Sequence, residues 1–415
     1  MNENIKTLEK CKTCGNKNLT KVLTLDEQFL SPTFVKSNKD NKLAKIKSPL
    51  TLVLCDKTEN KKNCGLLQLL EITNPDLLYK EYFYRSATND TMRTDLEDVV
   101  NQALEIAKPN KGDTIVDIGS NDCTLLNFYK QEFNKIGFEP AQNIEYIDEG
   151  NNITVINNYF NSKEFKIQSK NKAKIITSCA MFYDLDDPKK FVKDVEEILD
   201  EDGIWCCQIS YLVSMLKYNN FYDICHEHLS YYSLETFEYL INQFGLKCFY
   251  AETNDVNGGS IRLYICKKSS NKYTENKFFY KLNLIKEEEK KFKLTDPQTF
   301  YNFEKIISEL KDKTVKFVDS ILNLNKKVIM SIHPRTSNLM SKYKIDERQF
   351  LNIEFILPQS YFENLSLLSF SEGLITDSGG MQKEAYWLKK RCVTIRKETE
   401  WLETLNYGAN TLLFN

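Results

Sequence analysis

Short apolar runs alternate with stretches of helical periodicity along most of the chain. Between about residue 81 and residue 270 the runs TIVDIG, NKIGFE, AKIITSCA, GIWCCQIS and SIRLYICK read as strands. DPKKFVKDVEEIL and SLETFEYLINQFG carry apolar residues at helical spacing between them. That alternation predicts an α/β sheet of mostly parallel strands. Residues 271–328 differ. They are rich in Lys, Glu and Asn, and Phe303, Ile306, Ile307, Leu310, Val318 and Ile321 predict one or two amphipathic linker helices, with Asp296-Pro297 as a start signal. The run KEEEKK at 286–291 reads as a solvated helix face. Over 329–415 the strand–helix rhythm returns in KKVIMSI, NIEFILP, GLITDS and RCVTIR, which predicts a small α/β lobe. Residues 1–80 contain one short apolar stretch, SPLTLVLC, and little core of their own.

Fifty-six basic residues against 58 acidic ones leave a formal charge of -2, so no net positive field draws nucleic acid or an anionic membrane. No apolar run reaches the roughly 18 residues of a membrane span. The first ten residues, MNENIKTLEK, lack the apolar stretch of a signal peptide, so a cytoplasmic location is expected.

Twelve cysteines in a chain this long do not suggest a disulfide scaffold. Eight are scattered, often within apolar runs, and read as small buried hydrophobes. The other four are Cys11, Cys14, Cys55 and Cys64. Cys11-Lys-Thr-Cys14 is a knuckle that points two thiolates at one ion, and Cys55 with Cys64 would close a tetrahedral shell for structural zinc. Eight residues separate the second pair, a looser spacing than a ribbon, and four unrelated reduced cysteines are the alternative.

Ile115-Val-Asp117-Ile-Gly119-Ser120-Asn121-Asp122 ends a strand in a turn of small residues before a helix. Such a turn lets the backbone approach a nucleotide-like ligand. Glu139 ends the next strand, where a carboxylate accepts two ribose hydroxyls. No complete G-x-G-x-x-G and no basic residue for a pyrophosphate are present, which favours S-adenosylmethionine over a dinucleotide. A plain strand–turn–helix is the alternative.

VDIGSNDCTLL followed by GFEP resembles the donor motifs of the sugar C-methyltransferases, which methylate a carbon of nucleotide-linked keto-deoxy-sugars. The likeness extends through Glu81-Tyr-Phe-Tyr84-Arg-Ser86, Met181-Phe-Tyr-Asp-Leu, Ile224-Cys-His-Glu-His-Leu229 and Asn254-Asp-Val-Asn-Gly-Gly-Ser260. It includes the cysteine module with its Cys-Gly-Leu-Leu-Gln ending, and covers residues 1 to about 325. Cys123 departs from it, standing where glycine usually follows Asn-Asp. The resemblance implies a Rossmann-like class I methyltransferase domain behind a zinc-binding module, with Asp117, Gly119, Ser120, Asn121, Asp122 and Glu139 at the donor.

Methylating carbon requires loss of a proton α to a ketone, hence a base and donors for the enolate oxygen. His226-Glu227-His228 places two imidazoles and a carboxylate within three residues, in a chain with only three histidines. The resemblance implies that His228 is the general base, with Glu227, His226 and Tyr84 orienting sugar or enolate. A pair of structural histidines is the competing reading. Asn257-Gly258-Gly259-Ser260 could line a sugar pocket or simply turn.

The last ninety residues resemble another family. Ile332-His333-Pro-Arg335-Thr336 follows a strand, and Thr376-Asp377-Ser378-Gly379-Gly380 opens the helix MQKEAYWLKK. Backbone N–H groups at such a helix start make a phosphate cradle, and Glu384 lies one turn onward. With Thr399-Glu-Trp-Leu-Glu403 and Gly408-Ala-Asn, this stretch resembles the carboxy-terminal part of non-hydrolysing UDP-N-acetylglucosamine 2-epimerases. By that resemblance His333, Ser378, Gly379, Gly380 and Glu384 contact the UDP part of a nucleotide-sugar. No second α/β domain is available to complete an epimerase cleft, so the lobe is expected to bind nucleotide or to be a fused remnant. A bifunctional enzyme and a catalytically degraded nucleotide-sugar-binding protein are the rival readings. Open edges on the short sheet of the tail would allow a homodimer.

Overall fold

The computed structural model describes residues 4–31, 46–58, 60–82, 84–88, 90–148, 150, 152–322, 327–332, 353–396, 399 and 401–413. They fall into two units, one reaching Asn302 and one starting at Phe303. Among the described residues, no helix is long and apolar enough to cross a membrane.

The first unit opens with β1 (Ile5–Thr7), β2 (Thr20–Phe29), β3 (Lys47–Leu54), β4 (Leu67–Leu69) and β5 (Glu71–Thr73). β2, β3 and β4 form an antiparallel meander, and β1 pairs with β5. The second, larger sheet is built from the segments that follow. These are α1 (Asp76–Tyr79), α2 (Asp90–Ala107), β6 (Thr114–Ile118), α3 (Thr124–Asn127), β7 (Asn134–Phe138), β8 (Ile153–Ile156), α4 (Ser162–Gln168) and β9 (Ala173–Cys179). Then come α5 (Pro188–Ile198), β10 (Leu199–Ser210), α6 (Leu212–Tyr218), β11 (Ser230–Tyr231), α7 (Leu234–Ile241), β12 (Leu246–Asn254) and β13 (Ser260–Lys267).

Seven strands lie in the order β12-β13-β10-β9-β6-β7-β8. β6 to β10 pair in parallel, and β13 runs antiparallel to both neighbours. The Rossmann-like sheet expected from the strand pattern is present. Every residue of β6 is buried, as a strand covered on both faces requires. The chain leaves β6 in one direction toward β7 and β8 and returns on its other side at β9. Ligands of open α/β sheets bind in the crevice that such a reversal opens at the carboxyl ends of the strands. β11 leaves this domain to pair with β4, so the cysteine module is stitched to the segment that carries the histidines.

Local chemistry sets the helix ends. Asp187 accepts the Lys190 N–H ahead of Pro188 at the start of α5, whose Phe191, Val192, Val195 and Ile198 form the buried stripe. α8 (Asn276–Phe292) and α9 (Pro297–Leu322) follow, the second opening at the expected proline. The KEEEKK run needs a correction. Glu289 is buried, and its Oε1 accepts the Leu234 N–H at 2.5 Å and the Tyr211 hydroxyl at 2.9 Å, capping α7.

The second unit contains β14 (Val328–Ser331) parallel to β15 (Ile353–Ile356), then α10 (Tyr361–Phe370), β16 (Gly373–Thr376), α11 (Gly379–Trp387), β17 (Arg391–Thr394) and β18 (Asn410–Leu412). β16, β17 and β18 pair in parallel. Its apolar centre is small, with Leu368, Ala385 and Cys392 buried together. Gln382 supplements it: its Oε1 accepts from Thr399 Oγ1 at 2.5 Å and Asn410 Nδ2 at 3.1 Å. Thr399 and Asn410, both inside motifs that carry the epimerase resemblance, therefore hold the lobe together.

Candidate active site

The four amino-terminal cysteines converge. Their sulfurs all lie within 4.8 Å of one another, with Cys11 to Cys64 and Cys14 to Cys55 each at 3.4 Å. A tetrahedral zinc with bonds of about 2.3 Å separates its sulfurs by about 3.8 Å, so the group fits. Two turns bring them in: Gly15 donates to the Cys11 carbonyl and Gly65 to the Cys55 carbonyl, both glycines at positive φ. The long Cys55–Cys64 spacing closes because Asp56 Oδ1 accepts from the Thr58 N–H and hydroxyl, while Asn63 Nδ2 donates to the Asp56 carbonyl. Between the first two cysteines, the buried Lys12 ammonium donates to the Asp186 carbonyl and carboxylate at 3.0 and 2.9 Å. The knuckle thereby grips the loop after β9.

A cavity of about 530 Å³ opens at the carboxyl ends of β6 and β7. Asp117, Gly119, Ser120, Asn121 and Glu139 line it, together with Tyr84 and Ser86. Glu139 Oε2 accepts the Asn121 N–H at 2.9 Å and Oε1 the Ala141 N–H at 2.8 Å, which aims the carboxylate and leaves a lone pair on each oxygen. Burial raises its pKa. Asp117 lies deeper, accepts from Thr177 Oγ1 at 2.6 Å, and is pushed up to about 7 by burial. Asn121 and Asp122 act on the chain instead. Their carboxamide and carboxylate oxygens accept the Ser86 and Ala87 N–H groups, holding the 84–88 turn against the donor turn. Asp122 is not among the wall residues. Cys123 takes φ +67, the left-handed region that glycine enters freely, at a cost of about 1 kcal/mol. Its thiol is buried with Leu125 and Leu126, so the turn keeps its shape without the glycine.

The wall of this cavity includes five carboxyl groups, Asp117, Glu139, Asp184, Asp186 and Glu227, and no Lys, Arg or His among the described residues. The pyrophosphate of a dinucleotide seated against the donor turn, beside Asp117 and Glu139, would be repelled. S-adenosylmethionine, with a sulfonium and an ammonium, is matched. The unpartnered, buried Tyr84 hydroxyl is left for a ligand to satisfy.

The three residues 226–228 separate in function. His226 is buried, with Ser31 Oγ at 3.3 Å from Nδ1 and the Ser48 carbonyl at 3.2 Å from Nε2, so both ring nitrogens face the cysteine module. The expected substrate-orienting role does not suit that placement. Glu227 lies on the cavity wall and accepts from Ser31 Oγ at 2.6 Å. His228 is half-buried, and its Nδ1 meets the Asp223 carbonyl at 2.7 Å. A carbonyl only accepts, so Nδ1 carries the hydrogen and the Nε2 lone pair is free. The ring packs edge-on against Tyr183, centroids 4.5 Å apart. Tyr183 and Leu229 belong to the wall, whereas the imidazole stands just behind it. Asn257 is on the wall as well, in a turn whose Asn257 and Gly258 have positive φ. Asp184, on the same wall, belongs to the motif Met181-Phe-Tyr-Asp-Leu, whose resemblance implies no role for it, and Ser31 carries no sequence signal.

In the second unit, Ser378 and Gly380 are exposed and Gly379 half-exposed at the start of α11, and the half-buried Glu384 has its pKa raised by burial. His333 lies outside the described residues.

Three family models match successive parts of the chain: a zinc binding domain over residues 11–79, a methyltransferase domain over 89–250 and UDP-N-acetylglucosamine 2-epimerase over 294–415. The C-methyltransferase NovU of Streptomyces niveus is 26% identical over 267 residues, 64% of this chain and 62% of its own length. A UDP-N-acetylglucosamine 2-epimerase homolog of Methanococcus maripaludis is 36% identical over 143 residues, 32% of this chain and 40% of its own. The UDP-2,3-diacetamido-2,3-dideoxy-D-glucuronate 2-epimerase of Pseudomonas aeruginosa is 41% identical over 86 residues, 21% of this chain and 23% of its own. The chain thus spans less than two thirds of the length of each of these relatives. It carries a methyltransferase domain and an epimerase-like segment, as the sequence motifs implied.

Proposed function

We propose that the chain is an S-adenosylmethionine-dependent C-methyltransferase that acts α to the ketone of a nucleotide-linked keto-deoxy-sugar. The observation that carries this is the acidic, cation-free cavity at the sheet's reversal point, with a tethered imidazole beside it. Bound there, the donor supplies an electrophilic methyl group. Asp117 and Glu139 hold its cationic and ribose parts, while Gly119 to Asp122 shape the turn beneath it. His228 takes the sugar proton on Nε2, Nδ1 being committed to the Asp223 carbonyl. Glu227 and Tyr84 orient the sugar, and His226 anchors the segment. The Cys11, Cys14, Cys55 and Cys64 set holds zinc and ties down Lys12, which lies between the first two cysteines. NovU, the C-methyltransferase among the relatives, lends this reading its reaction type.

For the carboxy-terminal unit we read a nucleotide-binding role, with Ser378, Gly379, Gly380 and Glu384 toward the UDP part, rather than independent epimerisation. The matched stretch covers 40% or less of the two epimerase relatives named above.

The test mixes the protein with methyl-labelled donor and a panel of UDP- and dTDP-linked keto-deoxyhexoses. Label should appear on a sugar carbon, and His228→Ala should cut the rate by roughly 10²–10⁴. Tight binding of S-adenosylhomocysteine with no transfer to any of the panel would leave a ligand-holding protein. Inversion of a sugar centre without donor would favour the epimerase.

A further inference from the structure

Removing a proton next to a ketone moves an electron pair onto the carbonyl oxygen, and that oxygen needs a hydrogen-bond donor already in place. The cavity wall carries five carboxyl groups, and its donors include the buried, unpartnered Tyr79 and Tyr84 hydroxyls. Glu227 is already served by Ser31. Asp184 differs: it sits on the same wall, and its Oδ1 is out of solvent with no hydrogen-bond partner. Burial holds this carboxyl well above the usual carboxylate range, and Glu227 nearby pushes the same way, against the opposing pulls of His228 and the neighbouring Tyr79 hydroxyl. The Leu229 N–H donates to the Tyr183 carbonyl at 3.0 Å, so the chain carrying Asp184 is bonded directly to the chain carrying His228.

We propose that Asp184 is a catalytic hydrogen-bond donor, a neutral carboxylic acid whose O–H meets the sugar carbonyl oxygen as it becomes an enolate. This rests on the reading of the site as a C-methyltransferase. In the step, the C–H bond α to the ketone breaks and the proton passes to His228 Nε2. The electron pair forms the C=C bond, and the C=O π pair becomes the oxyanion that accepts from Asp184. When the carbon attacks the donor's methyl group, the new C–C bond forms as the methyl C–S bond breaks and its electron pair stays on the sulfur of S-adenosylhomocysteine. The oxyanion pair returns to C=O, His228 gives its proton to water, and Asp184 keeps its own proton throughout. A buried carboxylic acid kept neutral so that it can donate is an established solution to enolate chemistry elsewhere.

Two variants separate donor from charge. Asp184→Asn keeps an N–H donor in nearly the same volume, and Asp184→Ala removes it. The full chain is incubated in D₂O with each UDP- and dTDP-linked keto-deoxyhexose, without methyl donor, and deuterium entering the α carbon is followed. Labelled methyl transfer is measured separately, with zinc content and S-adenosylhomocysteine affinity as folding controls. Asp184→Ala should slow both exchange and transfer by roughly 10²–10³, while Asp184→Asn stays within about tenfold of the parent. Equal loss in both variants would mean that the carboxylate charge is needed, and normal exchange in Asp184→Ala would mean that no donor is needed; either overturns the proposal. If the parent protein neither exchanges nor methylates any sugar while binding S-adenosylhomocysteine, it is the functional reading that fails.

Discussion

Two strand–turn–helix motifs in this chain look alike in sequence and differ in their surroundings. After β6, the turn from Gly119 to Asp122 is packed from both sides. A Cβ on Gly119 would meet the Met181 side chain at 3.2 Å, and Asn121 and Asp122 fasten the 84–88 turn against it. After β16, Ser378 and Gly380 are exposed, and a Cβ on Gly380 would meet nothing within 4 Å. Gly119 to Asn121 of the first turn form part of the wall of an acidic cavity. The second offers open backbone N–H groups. A turn supplies direction, but the neighbouring segments supply exclusion of water and complementary charge, and among the described residues only the first motif has them within its own unit.

The largest effect should come from the metal site that braces the first motif. Cys64→Ser, or chelation of the purified protein, should remove one zinc per chain and unfold the module, since structural zinc contributes about 10–16 kcal/mol in small zinc domains. Metal analysis and thermal unfolding check this. Methyl transfer should fall with it, because Lys12 and Ser31 hold Asp186 and Glu227 from that module. A folded, zinc-free protein of normal activity would remove the cysteine cluster from the account.

An intermediate effect tests the charge of the crevice. The Asp117 carboxyl is raised to about 7 in the fold, so its ionisation is resisted by burial. The sign follows: the folded state holds this proton more tightly than the unfolded chain, so this group costs stability as pH rises from about 4 to 7. A cationic donor favours the ionised form. Its affinity should therefore rise about tenfold between pH 6 and pH 8, measured by calorimetry. Asp117→Asn should flatten that profile.

The smallest effect belongs to the open turn. Ser378→Ala should weaken UDP binding only severalfold, since it removes one hydroxyl from a cradle made mostly of backbone N–H groups. Methyl transfer to a saturating sugar should not change. A large loss there would show that the exposed turn does more than hold nucleotide.

Much of the first unit was legible because its signals are local. The strands around Asp117 and Glu139 are short apolar runs, and Asp187-Pro188 announces its own helix. α2 carries Leu96, Val99, Val100, Ala103 and Ala107 at helical spacing, but interleaved Asp, Glu and Asn lower the contrast, and no motif draws attention to it. Glu289 could not be read correctly from KEEEKK, because a carboxylate in a charge run looks solvated until its helix is packed against α7.

Sequence alone determined the alternation of elements, the cysteine pairs, the acidic residue at the tip of β7 and the scarcity of histidine. Each depends on residues close together in the chain. Tertiary structure decided which polar groups are spent on the protein and which remain for a ligand. It turned His226 toward Ser31 and Ser48, fixed the free nitrogen of His228 through the Asp223 carbonyl, and left Asp184 Oδ1 without a partner. The physical reason is that a hydrogen bond depends on position and direction in space: residues 31 and 48 meet residue 226, and residue 184 nears residue 228, only in the folded chain.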